Sequence, residues 1–152
     1  MARVFVISCV SLCDPAVTHA ADPEDSTMER LLRTIATLIG AGFALQGVGW
    51  LVAPERAAAG LGMVVLDGVG RSTQLGDFAA FFLTAGVTML VGARPGRGSL
   101  LYVPAGLLGS AAVGRTVAWA LHGAAFASTF IAVEVAASAL LLAVARRDPI
   151  GA

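Results

Sequence analysis

Four runs of apolar residues, separated by short polar or Gly- and Pro-rich breaks, decide most of what this chain can become. They cover residues 31–53, 75–91, 99–121 and 125–145. A helix needs about 20 residues to cross a hydrocarbon layer about 30 Å thick, and each run is close to that length. In lipid the backbone must satisfy its own hydrogen bonds, which stretches this long do as α-helices. The two-residue alternation of a membrane β-barrel is absent from the sequence. Composition agrees: 57% of the 152 residues are hydrophobic and 13% charged, where a soluble domain carries about 25% charged residues. Mean hydropathy is +0.83. The expectation is an all-α integral membrane four-helix bundle.

The breaks are chemically sharp. Pro54 stops the first run, Gly92 to Gly98 with Arg94, Pro95 and Arg97 form a tight turn after the second, His122 and Gly123 end the third, and Arg146, Arg147, Asp148 and Pro149 end the fourth. Arginines sort by side. Arg30, Arg33, Arg94, Arg97, Arg146 and Arg147 flank the ends that share the termini, against Arg56 and Arg71 on the opposite side. The positive-inside rule therefore predicts a multi-pass protein of the plasma (inner) membrane with both termini cytoplasmic. Trp50, Trp119 and Tyr102 fall near predicted helix ends and read as interfacial belt residues.

Residues 28–147 form the predicted transmembrane domain and 148–152 a cytoplasmic tail. Residues 1–27 read as an acidic leader, disordered or preceding a true start at Met28. Met1 to Arg3, the apolar Val4 to Cys13 and the small residues up to Ala21 resemble a signal peptide. Asp14 and Pro15 interrupt that pattern, and cleavage would put the new N-terminus on the side that the arginine count opposes.

Polar groups inside the runs carry what chemistry there is. Arg115 lies in the third run and Glu134 in the fourth, and a charge in hydrocarbon costs at least about 2.5 to 3.5 kcal/mol on insertion scales. A rise of 1.5 Å per residue puts Arg115 about 9 Å and Glu134 about 13 Å from the outer ends, a gap the Arg side chain can close. Gln46 comes out about 10 Å deep and Thr84 about 13 Å, with Asp77 nearer the surface. The expectation is one intramembrane polar cluster of Gln46, Asp77, Thr84, Arg115 and Glu134 in the outer half of the bundle. Two readings stay open. The pair either fixes helix register and nothing else, or it lines a cavity where Glu134 binds a ligand or exchanges protons.

Small residues recur every four positions at Ala36, Gly40 and Ala44 and at Gly106, Ser110 and Gly114, which predicts close helix contact within the bundle. The outer loop from Pro54 to Gln74 is apolar at Met63 to Leu66, so it lies on the membrane surface or caps the polar layer. Its glycines match neither a Walker nor a dinucleotide pattern. Cys9, Cys13 and His19 make a poor metal set, and His19 and His122 are the only histidines, so no metal, haem or other cofactor is expected. Zero formal charge argues against nucleic acid. The partners expected are the lipid bilayer and, within it, another membrane protein or a small apolar ligand.

The segment from Gly70 to Arg147 carries Asp77 and Phe78 entering the second run, AAVGRTVAW around Arg115 and VEVAASALLL around Glu134. With these it resembles the small membrane proteins grouped as domain of unknown function 4345, and more distantly the DoxX-like membrane proteins. The resemblance implies four membrane helices and no assigned activity, so it supplies no catalytic residues. Three functions follow as expectations: a non-enzymatic membrane component or accessory subunit, a small-molecule or proton-coupled carrier using Glu134, and a DoxX-like subunit of a membrane redox complex. The first needs no site and leads.

Overall fold

The computed structural model describes residues 23–148. Of the leader expected over residues 1–27, residues 1–22 with Cys9, Cys13 and His19 lie outside the described residues, as do residues 149–152 of the tail expected over 148–152. Among the described residues five helices follow in order: α1 (Pro23–Val52), α2 (Pro54–Gly60), α3 (Gly68–Gly92), α4 (Tyr102–His122, entered through a 3₁₀ turn at Gly98–Leu101) and α5 (Ser128–Arg147). No strand occurs among the described residues. Four of the helices are long and apolar enough to cross a membrane.

Each boundary has a local cause. Pro23 opens α1, where its fixed φ suits the first turn, and Glu24 and Asp25 favour the positive end of the helix dipole. α1 therefore starts five residues inside the segment expected to be leader, and eight before the first apolar run. Hydropathy marks only the part of a helix that needs lipid. Here the polar extension is held by an ion pair between Arg147 and Asp25 at 2.6 Å. Pro54 ends α1 and starts α2 in one step. Gly123, left-handed at φ 67°, ends α4.

Packing runs through α1 against α3 and α4 against α5. At the first seam glycine is a requirement. A Cβ on Gly86 would stand 2.5 Å from the Ala44 nitrogen and 2.8 Å from the Gly40 oxygen, and one on Gly47 would strike Leu83. The small-residue stripe of α1 is used as expected. That of α4 is not: Gly106 and Gly114 have nothing within 4 Å of a Cβ position, and Ser110 bonds only the Leu107 carbonyl of its own helix. Ser138 instead joins α5 to α4, donating to the Ala105 carbonyl at 2.8 Å.

Two cores result. Near the termini Ala36, Met89, Leu101, Leu108, Leu141 and Val144 pack together. At the opposite end, Trp50, Phe78, Phe82, Ala57 and Ala58 form an aromatic cluster under α2 and the loop that follows it. Trp50 is fully buried and stacks on Phe78 at 4.7 Å between centroids, so it is a core residue and not a belt residue. Trp119 and Tyr102 are exposed. Large side chains such as Leu38, Leu45, Val113 and Leu121 point outward. Apolar surface on this scale calls for an apolar solvent around the bundle.

Candidate functional site

The inward face of α3 near its start carries Phe78, Phe81 and Phe82, spaced i, i+3 and i+4, with Asp77 beside them. Phe43 of α1 lies 5.3 Å from Phe82, and Phe81 meets Phe82 edge-on at 5.1 Å. Across from them α4 and α5 present Arg115, Phe130 and Glu134. These groups, with Leu61, Leu108, Ala111 and Val133, enclose a cavity of about 490 Å³.

Glu134 is nine-tenths buried. Its Oε1 accepts a hydrogen bond from Arg115 Nε at 2.8 Å, and the Arg115 guanidinium lies 4.8 Å over the Phe130 ring. That bond is the whole of the pairing. Oε2 of Glu134 is buried with no partner, and the terminal nitrogens of Arg115 make no hydrogen bond among the described residues. Arg115 can therefore hold a bidentate acceptor or leave its outer nitrogens to a ligand. A second cavity of about 310 Å³ shares Phe43, Leu108, Val133 and Glu134 with the first and continues to Ile35, Ala137 and Leu140.

Three of the five residues expected in one polar cluster meet here: Asp77, Arg115 and Glu134. The other two do not. Gln46 donates from Nε2 to the Ala57 carbonyl at 3.1 Å and so anchors α2. Thr84 is exposed, because α3 turns Phe82, Ala85, Gly86 and Met89 toward α1 there; its carbonyl accepts the Thr88 hydroxyl at 2.6 Å. Equal depth placed both in the layer, but depth says nothing about which way a residue faces. The phenylalanines went unread because Phe counts as ordinary apolar filling. Their i, i+3, i+4 spacing next to an acid was the available signal.

The loop after α2 closes this end. Leu61 lines the cavity, while Met63 and Val65 pack on the aromatic cluster. Gln74 is buried and holds the segment by both ends of its amide, accepting from the Leu66 N–H at 2.9 Å and donating to the Val64 carbonyl at 3.1 Å.

A second charged cluster sits at the other end of the bundle. Arg33, counted by sequence among the flanking loop arginines, is buried. It donates to Glu29 at 2.8 Å, to the carbonyls of Ala93 and Arg94 at 3.3 and 3.1 Å, and to Asp148 at 2.7 Å. Asp148 accepts in turn from the Gly98 N–H at 3.0 Å. Burial alone would raise the Asp148 carboxyl, but the bond from Arg33, the Gly98 N–H and the Arg33 charge together hold it below the usual carboxylate range. By sequence Asp148 opens a cytoplasmic tail. In the fold it fastens the last turn of α5 to the start of α1 and to the turn before α4.

Among the described residues no group of three His, Cys, Asp or Glu could hold a metal ion. No family model, curated protein or solved structure matches the chain.

Proposed function

We propose that this chain is a non-catalytic protein of the inner membrane, with both termini cytoplasmic, that binds a small apolar molecule in the outer half of its helical bundle. The orientation rests on the arginine count, six against two. The carrying observation for binding is the cavity of about 490 Å³ walled by five phenylalanines, onto which an incompletely satisfied Arg115–Glu134 pair opens. Small-molecule sites are concave, about 300 to 1,000 Å³, mostly apolar, and oriented by a few convergent polar groups. A pair serving register alone gains most when both carboxylate oxygens are bonded, since a buried unpaired acceptor costs about 1 to 3 kcal/mol.

Trp50 supplies the test, because it stacks on Phe78 of the cavity wall. In Trp119→Phe protein in lipid nanodiscs, Trp50 is the only tryptophan. Titration with 1-naphthol and related neutral aromatics should change its emission saturably. Adding Ala111→Phe, which fills the cavity, should abolish the change while thermal stability is kept. A signal that never saturates, or that survives the filled cavity, overturns the reading.

One observation favours a second reading, the carrier. Glu134 borders both cavities, so it stands where a molecule or proton would pass from one to the other. Proteoliposomes in which Glu134→Gln moves substrate as fast as the unmodified chain would remove it.

A further inference from the structure

The charges facing the cavity can be counted helix by helix. α3 contributes Asp77, α4 contributes Arg115 and α5 contributes Glu134, while α1 and the loop after α2 contribute only Phe43 and Leu61. Two carboxylates against one guanidinium leave a net charge of −1. The single cation is balanced by one of them: Arg115 Nε lies 2.8 Å from Glu134, with the guanidinium over the Phe130 ring. Asp77 has no such answer, being exposed and engaged in no ion pair or hydrogen bond among the described residues. The nearby Arg71 is paired with Glu55 at 2.7 Å.

From this we infer that the molecule bound in the cavity is a lipophilic monocation, with its charge beside Asp77 and its apolar body among the phenylalanines. The inference rests on the binding reading above and adds the ligand's chemical class. Aromatic walls separate the candidates. Phe81 stands four residues after Asp77 on the same side of α3, and the adjacent Phe78 lines the cavity with them. A ring face attracts a cation through its quadrupole, by about 0.5 to 2 kcal/mol depending on desolvation. A metal ion or small ammonium is held too strongly by water to enter an apolar enclosure, whereas a charge shielded by alkyl or aryl groups sheds little hydration. An anion finds the outer nitrogens of Arg115 but also two carboxylates against that one guanidinium, so the net field opposes it. A neutral apolar molecule fits the walls but draws nothing from the charge of Asp77.

Three near-isosteric probes distinguish these outcomes in Trp119→Phe protein in nanodiscs, with empty nanodiscs subtracted. They are tetraphenylphosphonium, tetraphenylsilane and tetraphenylborate. Tetraphenylphosphonium should bind saturably and the other two more weakly. Asp77→Asn should weaken the cation about tenfold, which corresponds to about 1.4 kcal/mol, and leave the silane unchanged. Asp77→Glu should restore the cation. Because Asp77 is exposed and unpaired, neither substitution removes a contact the fold uses. Equal binding of cation and silane, or insensitivity to Asp77→Asn, overturns the charge inference and leaves the apolar site standing. Tighter binding of the borate overturns it also. Saturable binding by none of the three overturns both.

Discussion

Arg115 and Glu134 are bonded to each other but not equally buried, and that asymmetry fixes how each should respond to neutralisation. Arg115→Met keeps the length of the side chain and strips Glu134 of its only bond. The carboxylate that remains is nine-tenths buried, six residues or about 9 Å along the axis from the start of α5, and borders two apolar cavities. Insertion scales put such a charge at about 2.5 to 3.5 kcal/mol at the bilayer centre, so about 2 to 3 kcal/mol is expected at this depth. Glu134→Gln leaves a carbonyl that still accepts from Arg115 Nε. The Arg115 side chain is 38% exposed and lies on Phe130, so it can extend toward the interface at a cost of about 0.5 to 1 kcal/mol. The double variant holds no charge and should lie near 1 kcal/mol, giving a coupling energy of about 1.5 to 3 kcal/mol. Reversible unfolding in mixed dodecylmaltoside and dodecyl sulfate micelles, followed by helicity, measures all four proteins. Equal losses from the two single changes, or a double variant that equals their sum, would refute the assignment of Glu134 as the dependent partner.

The seam between α1 and α3 gives a contrast of two chemically identical changes. Gly86→Ala forces a Cβ against the backbone of Ala44 and Gly40 and should cost about 1 to 3 kcal/mol or more, whereas Gly106→Ala meets open space and should stay within about 0.5 kcal/mol; the same unfolding titration reads both. At the termini end, Asp148→Asn should cost about 1.5 to 3 kcal/mol, the range for hydrogen bonds to charged groups. Because the folded Asp148 carboxyl lies below its ordinary value, its contribution is complete above the unfolded value of about 3.9 and is lost as pH falls through the folded one. The stability difference between Asp148→Asn and the unmodified chain should therefore be flat near neutrality and shrink only below about pH 4. Shrinkage near pH 6 would show that another group carries it.

Hydropathy made the helices legible because a membrane helix answers to a single condition, about 20 residues of apolar side chains with few charges. That condition is blind to what lies beyond the lipid. It therefore puts the start of α1 near residue 31 and misses the polar turns that begin at Pro23, and within residues 54–74 it shows a surface or capping loop but not the helix α2. The Arg115–Glu134 pair was legible for the same reason in reverse, since two opposite charges in facing helices at similar depth have few other ways to be accommodated. Direction was the missing quantity. Asp77 and Thr84 are seven residues apart and share a helical stripe, yet α3 faces the cavity at the first and has closed onto α1 by the second. Arg33 shows the same limit at the other end. By sequence it is one of six arginines holding that side in the cytoplasm. In the fold it spends its charge on Glu29, Asp148 and two carbonyls, and Arg147 is paired with Asp25, so among the described residues four flanking arginines, not six, are left unpaired at that end. On the other side Arg71 is paired with Glu55, so the bias keeps its sign. The charge of Arg33 goes to fastening the termini end shut, and the cavity lies toward the opposite end, where Leu61 and the segment held by Gln74 stand over it.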